Sequence, residues 1–190
     1  MDQLATLEYA LDELRGVVAR LDDAQMDIVT NCEPWTVRRL ASHALNNQLL
    51  WAGLVTGQEL VSAEDTMGAV PIGGNLIPVA DEITGRALAM WGTDGVLEAT
   101  HGTPIGELPG SVVINFPTVD AIMHAWDLSA SVGHPIEFRP GAIPAISAVV
   151  AATCTDEARA AGLIRPPTKP PADSSATERL VATAGRSTRR

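Results

Sequence analysis

Apolar residues at Leu4, Leu7, Leu11, Leu14, Val18 and Leu21 recur every three or four positions and predict a long amphipathic first helix. Asp22 to Pro34 breaks that period with turn residues such as Asn31 and Pro34, and a second helical pattern runs from an N-cap at Thr36 to about Gly57. Arg39, the third residue after that cap, is a cation where a capping box carries an acid. Residues 58 to 76 hold several glycines and Pro71 and predict a long connection without regular structure. A third helix is predicted from about Val79 to Ala99, with Ile83, Ala87, Met90 and Trp91 on one side. His101 to Pro117 has three prolines and three glycines and suits a segment crossing over a pocket, a hairpin being the alternative. A fourth helix begins at Pro117 or Thr118 and ends at Gly133; a fifth spans about Gly141 to Gly162, with Pro144 in its first turn. Arg165 to Ser175 should run extended, before a last turn or two at Thr177 to Ala184. The pattern predicts an all-α chain built on an antiparallel four-helix bundle over residues 1–164, with a short additional helix and an extended, proline-rich tail over residues 165–190 packing on it.

Composition narrows the partners. The chain has 190 residues, 46% apolar and 19% charged, enough for one domain with a real core. Thirteen Lys and Arg against 23 Asp and Glu leave a net charge of -10, which repels nucleic-acid phosphates and anionic lipid. No apolar run reaches the ~20 residues of a membrane span. The start, Met1-Asp2-Gln3-Leu4, has no signal-peptide character, so a cytoplasmic protein is expected. The basic end, Arg186 to Arg190, reads as a solvated fringe. Cys32 and Cys154 are far apart and give neither a disulfide framework nor a zinc ribbon.

The fourth helix carries most of the candidate chemistry. On a wheel of roughly 100° per residue, Asp120, His124, Asp127 and Ser131 fall within an arc of about 60°. Val119, Met123, Trp126 and Ala130 flank that arc on one side, and Ala121, Ala125, Leu128 and Val132 on the other. A narrow polar seam on a helix that is apolar nearly all round should face the interior or a pocket. On the second helix His43 sits inside an apolar arc with Leu40, Asn47, Leu50, Trp51 and Leu54. Buried imidazoles need a partner for each nitrogen, and a buried carboxylate needs a cation. Asp120 and His124, four residues apart, with His43 from the opposite helix, would satisfy one another by holding a divalent metal. Asn47 and Asp127 are candidates to orient those ligands from behind. The plainer reading is a structural histidine hydrogen-bonded to a carbonyl or acid, and an intrahelical Asp–His contact.

Three strings then carry a resemblance: Cys32-Glu33-Pro34-Trp35-Thr36-Val37-Arg38-Arg39-Leu40-Ala41-Ser42-His43, Asp120-Ala121-Ile122-Met123-His124-Ala125-Trp126-Asp127-Leu128, and Arg179-Leu180-Val181-Ala182 with Gly185-Arg186. In this order they resemble the actinobacterial branch of the DinB-like metal-binding proteins, which is related to mycothiol-dependent maleylpyruvate isomerases. The resemblance implies a DinB-like four-helix bundle with a divalent ion, zinc first and nickel second, on His43, Asp120 and His124. It also implies mycothiol as co-substrate. The sequence departs from the pattern at Arg39, where an acid is common, and at Asp120, where the isomerase has a longer Glu. The additional C-terminal domain of the isomerase is not expected here.

Three protein ligands leave a metal coordinatively open, as in catalytic sites. The leading expectation is therefore a metal-dependent transferase or isomerase that activates a mycothiol-like thiol for attack on a small electrophile. The alternatives are hydrolysis of a small amide or ester, and a non-catalytic bundle that binds metal or ligand. Arg86, in the third helix, is a candidate to recognise a substrate carboxylate, against a solvated arginine. Cys32 is a candidate reactive thiol, against inert packing. Trp35, Trp51, Trp91 and Trp126 read as core anchors, Trp51 and Trp126 also as pocket walls; His101 and His134 are expected to be exposed. The apolar face of the fifth helix, with Ile143, Ile146, Val149 and Val150, fits either a homodimer or the core.

Overall fold

The structure is a computed structural model that describes residues 1–68 and 70–188. It is mostly helical, with a small two-stranded sheet. The long helices are α1 (Gln3–Val18), α2 (Val37–Thr56), α4 (Leu76–Trp91) and α6 (Asn115–Ser131). Between them lie α3 (Ala63–Thr66), the hairpin of β1 (Thr100–Thr103) and β2 (Gly106–Pro109), and α5 (Gly110–Val113). The chain closes with α7 (Ile143–Thr153), α8 (Asp156–Ala160) and α9 (Ala176–Thr183). Helix α1 packs on α4 and α6, α2 packs on the same two, and α6 also packs on α7. Their shared core holds Leu7, Leu14, Leu40, Leu45, Ile122, Met123 and Leu128, all closed to solvent. None of the described helices is long and apolar enough to cross a membrane.

Local chemistry sets the helix ends. The Thr36 hydroxyl accepts from the Arg39 amide and starts α2, and Gly57, at φ +69°, ends it in the left-handed conformation that glycine adopts without strain. Helix α4 starts three residues earlier than the sequence predicts. The Asn75 side chain caps it and Pro78 falls in its first turn, where proline costs no intrahelical hydrogen bond. It also stops at Trp91, short of Ala99, because Gly92, Thr93, Asp94 and Gly95 follow and Gly95 has φ +81°. The expected fifth helix is broken: Thr155 caps α8, its hydroxyl accepting from the Ala158 amide, and this competing cap ends α7 at Thr153. The connection over residues 58 to 76 contains one helical turn, α3; Ala69 lies outside the described residues. The segment from His101 to Pro117 is a hairpin, with Thr103 paired to Gly106, and leads into α5. His101, expected to be exposed, is half-buried, its Nε2 2.8 Å from the Val96 carbonyl; His134 is exposed. Ile146, Val149 and Val150 are buried within the single chain.

Candidate metal centre and its cavity

The first half of the α6 seam, Asp120 and His124, faces His43 on α2, and the second half, Asp127 and Ser131, faces Asn31 in the segment before α2. His43 Nε2 lies 3.3 Å and His124 Nε2 3.4 Å from the same oxygen, Asp120 Oδ1. The three ligand atoms lie within 4.8 Å of one another, and each side chain retains 12–14% of its exposure. The other ring nitrogens are engaged elsewhere. His43 Nδ1 meets the Thr66 carbonyl in α3, and His124 Nδ1 lies 3.0 Å from Asp127 Oδ2. A carbonyl only accepts, and Asp127 is ionised, so both rings carry a proton on Nδ1. If the rings are neutral, two lone pairs point at one carboxylate oxygen, and that is tenable only with positive charge among the three.

Electrostatics agrees with that deduction. Burial pushes the Asp120 carboxyl up, but the charges of His124 and His43 outweigh it and hold it below the usual carboxylate range. Burial works against a charged His124 ring, yet Asp120, with help from Asp127, raises His124 well above the usual imidazole range. Asp120 Oδ2 is buried and has no hydrogen-bond partner among the described residues. An anionic oxygen left bare costs free energy that a metal ion would recover. Two imidazoles with Nδ1 committed, a carboxylate and this bare oxygen fit a divalent ion, with the mixed nitrogen and oxygen donors that zinc accepts.

Behind His124 lies a second polar group. Asp127 is completely buried and its oxygens are fully occupied. Arg186 Nη2 donates to Oδ2 at 2.8 Å and Arg186 Nε to both oxygens at 3.2 and 3.3 Å; Asn31 Nδ2 donates to Oδ1 at 2.9 Å and the Cys32 thiol to Oδ2 at 3.4 Å. Burial raises the Asp127 carboxyl, but Arg186 and then His124 outweigh it and hold it well below its ordinary range. Cys32, His124 and Asp127 are also close enough together to ligate a metal. The Arg186 guanidinium already fills the place of a cation there, which argues against a second ion.

Arg186 corrects the sequence reading. It is not part of a solvated fringe: its side chain is 19% exposed and is the counter-ion of Asp127, while Arg189 and Arg190 lie outside the described residues. The sequence shows that a buried Asp127 needs a cation, but not which of the thirteen Lys and Arg supplies it. The Thr66 carbonyl left no trace in the sequence, because any residue supplies one. Asn47 is buried in α2 and makes no hydrogen bond to His43, Asp120 or His124 among the described residues. Arg86 is exposed on α4.

A cavity of about 600 Å³ opens beside His124 and Asp127. Cys32 and Trp35 form one wall, and residues 162–165 and 184–187 form the other. Trp35 also packs on His43, with ring centroids 4.6 Å apart, and so reaches from the cavity to the triad. Arg165 stands at the rim, exposed, with Nη1 3.2 Å from the Asn31 carbonyl.

Residues 7–129 match the family model described as the mycothiol maleylpyruvate isomerase N-terminal domain. The uncharacterized proteins MT0763 and Rv0738, from two strains of Mycobacterium tuberculosis, are each 30% identical over 141 residues, 74% of this chain and 72% of theirs. The fold is similar to the crystal structure of the mycothiol-dependent maleylpyruvate isomerase, with a TM-score of 0.65 and 19% identity over 84% of this chain and 71% of that one. A histidine-to-alanine mutant of that enzyme gives a TM-score of 0.67 at the same identity and coverage. The family model spans more than half of the sequence, and the chain belongs to the mycothiol maleylpyruvate isomerase N-terminal domain family, a DinB-like family.

Proposed function

We propose that this protein is a divalent-metal-dependent enzyme that activates a low-molecular-weight thiol, mycothiol or a close analogue, for isomerisation of, or transfer to, a small electrophile. His43, Asp120 and His124 would hold the ion, zinc in the first instance and nickel in the second. The observation that supports this most directly is the pair of Nε2 atoms facing Asp120 Oδ1 while both Nδ1 atoms are committed elsewhere. A divalent ion there would act as a Lewis acid, lowering the pKa of a thiol near it so that the thiolate is available at neutral pH.

The chain's own residues do the rest. The Thr66 carbonyl and the Asp127 carboxylate hold the two rings in the tautomer that presents Nε2 to the centre. Arg186 keeps Asp127 ionised, so that it remains an acceptor for the His124 ring. Trp35 and the 162–165 and 184–187 segments line the cavity beside His124 and give a small thiol and its electrophile a place next to the centre. Arg165 at the rim supplies a positive charge for an anionic substrate group. The related solved enzyme is named for mycothiol and maleylpyruvate, and these are the first thiol and electrophile to try.

The test is calorimetric titration of mycothiol into zinc-loaded protein, followed by a turnover assay with maleylpyruvate. Saturable binding that is lost in His124→Ala supports the proposal. Absence of thiol binding by fully loaded protein contradicts it. Thiol binding without turnover of any small electrophile would favour a non-catalytic ligand-binding role.

A further inference from the structure

The connection between α2 and α4 is fastened to one face of α2 by a row of side chains. Arg39 Nε donates to the Gly68 carbonyl at 2.8 Å, and Asn46 Nδ2 to the Asp65 carbonyl at 3.1 Å. Arg38 Nη1 donates to the carbonyls of Ile72 and Gly74 at 3.0 and 3.1 Å, and the Ser42 hydroxyl accepts from the Ile72 amide at 2.9 Å. His43 stands in the middle of this row, with Nδ1 on the Thr66 carbonyl. Close approach is built into the backbone. Gly68 has φ +66°, and a Cβ there would lie 3.1 Å from the Arg39 carbonyl.

The Thr66 carbonyl belongs to α3, a helix of four residues. One turn is too short to hold its place by itself, even with the Ser62 hydroxyl donating to Asp65 Oδ2 at 2.8 Å. What locates that carbonyl is the fastening on either side: Asp65 precedes Thr66 and is held by Asn46, and Gly68 follows it and is held by Arg39. An unrestrained imidazole carries its proton on either nitrogen, and a ring protonated on Nε2 cannot accept at the triad.

We propose that Arg39 and Asn46 are positioning residues for His43, which fix the Thr66 carbonyl so that the imidazole proton stays on Nδ1 and Nε2 is left free toward Asp120. This rests on the reading of His43, Asp120 and His124 as a metal centre. It also gives a role to Arg39, whose Nε donates to the Gly68 carbonyl. Its task is to hold a backbone carbonyl, which an acid could not do. His124 has its own support in Asp127 and should be independent of the row.

The test uses the full chain with Arg39→Met, Asn46→Leu and the double variant, with Arg39→Lys as the conservative rescue and exposed Glu64→Ala as the control. Nitrogen-15 NMR of the metal-free protein near pH 8 reads which ring nitrogens of His43 and of His124 carry a proton. Competition with a chromophoric chelator reads zinc affinity on the same samples. In the wild type His43 should be the Nδ1–H tautomer. In the double variant His43 should become a mixture and zinc affinity should fall about 10-fold or more, with the His124 signals unchanged. Arg39→Lys, which keeps a donor, should recover most of the affinity, and Glu64→Ala should match the wild type. An unchanged His43 tautomer and unchanged zinc affinity in a folded double variant overturn the proposal. If the double variant does not fold, the same two readouts on each single variant decide in the same way. Wild-type protein that takes up no zinc contradicts the metal reading instead, and the metal-free tautomer measurement still decides the positioning role by itself.

Discussion

Asp120 is the carboxylate that the two histidines share. One of its oxygens meets two imidazole nitrogens, and the other is buried without a partner among the described residues. Replacing it with asparagine removes the charge that raises His124 and gives a poorer metal donor. We therefore expect Asp120→Asn to weaken zinc binding about 100-fold or more, read by chelator competition. The pH dependence follows from the same groups. His124 has a raised pKa, so in the metal-free protein it is protonated at neutral pH, and an incoming ion must displace that proton. Zinc affinity should rise with pH until His124 is deprotonated, and calorimetry in buffers of different ionisation enthalpy should show about one proton released per ion near pH 7. Metal-free stability has the opposite sign. The contribution of His124 is complete below the unfolded imidazole value, roughly pH 6.5, and is lost as pH rises through the folded value. Those of Asp120 and Asp127, both depressed, are present above the unfolded carboxylate value, roughly pH 4, and are lost as pH falls through the folded values. Urea melts of the metal-free protein should therefore show greatest stability from about pH 4 to 6.5.

At the scale of elements, the site depends on segments that carry none of the proposed ligands. The tail returns after α9 to place Arg186 on Asp127, with the Arg186 amide bonded to the Val181 carbonyl. Removing the guanidinium leaves a fully buried carboxylate without its counter-ion, and breaking such a pair costs about 3–5 kcal/mol. Arg186→Met should lower the unfolding free energy by an amount of that order in denaturant melts, and should weaken zinc binding through the loosened His124 ring. Gly185→Ala should act on the same pair indirectly, because Gly185 has φ +84° and a Cβ there would sit 2.7 Å from the Arg165 carbonyl. The elements differed in how plainly the sequence announced them. Caps at Thr36 and Gly57 and the three-and-four spacing of leucines in α1 are local signals, so α1 and α2 could be read from residues alone. The end of α7 depended on whether Thr155 capped a new helix, and the strands depended on pairing across a tight turn with little burial to pattern them.

Over the whole molecule, side chains aimed by helix periodicity could be foreseen, and contacts made by backbone or by distant segments could not. The seam of Asp120, His124 and Asp127 follows from the wheel of α6, and His43 from the apolar face of α2. The Thr66 carbonyl and the reach of Arg186 across 59 residues to Asp127 depend on how the connections pack, for which the sequence holds no periodic signal. If the triad holds an ion in the folded chain alone, metal should stabilise the whole molecule. At free zinc about 100 times the dissociation constant, the gain is about 2.7 kcal/mol, and the melting temperature should rise accordingly and fall back on chelation.

The most direct measurement is the metal content of the purified native chain beside His43→Ala and His124→Ala, by elemental analysis with circular dichroism to verify folding. The account predicts about one divalent ion per native chain and a large loss in both variants. Equal metal content in all three folded proteins, or none in the native chain after incubation with excess zinc, would contradict it.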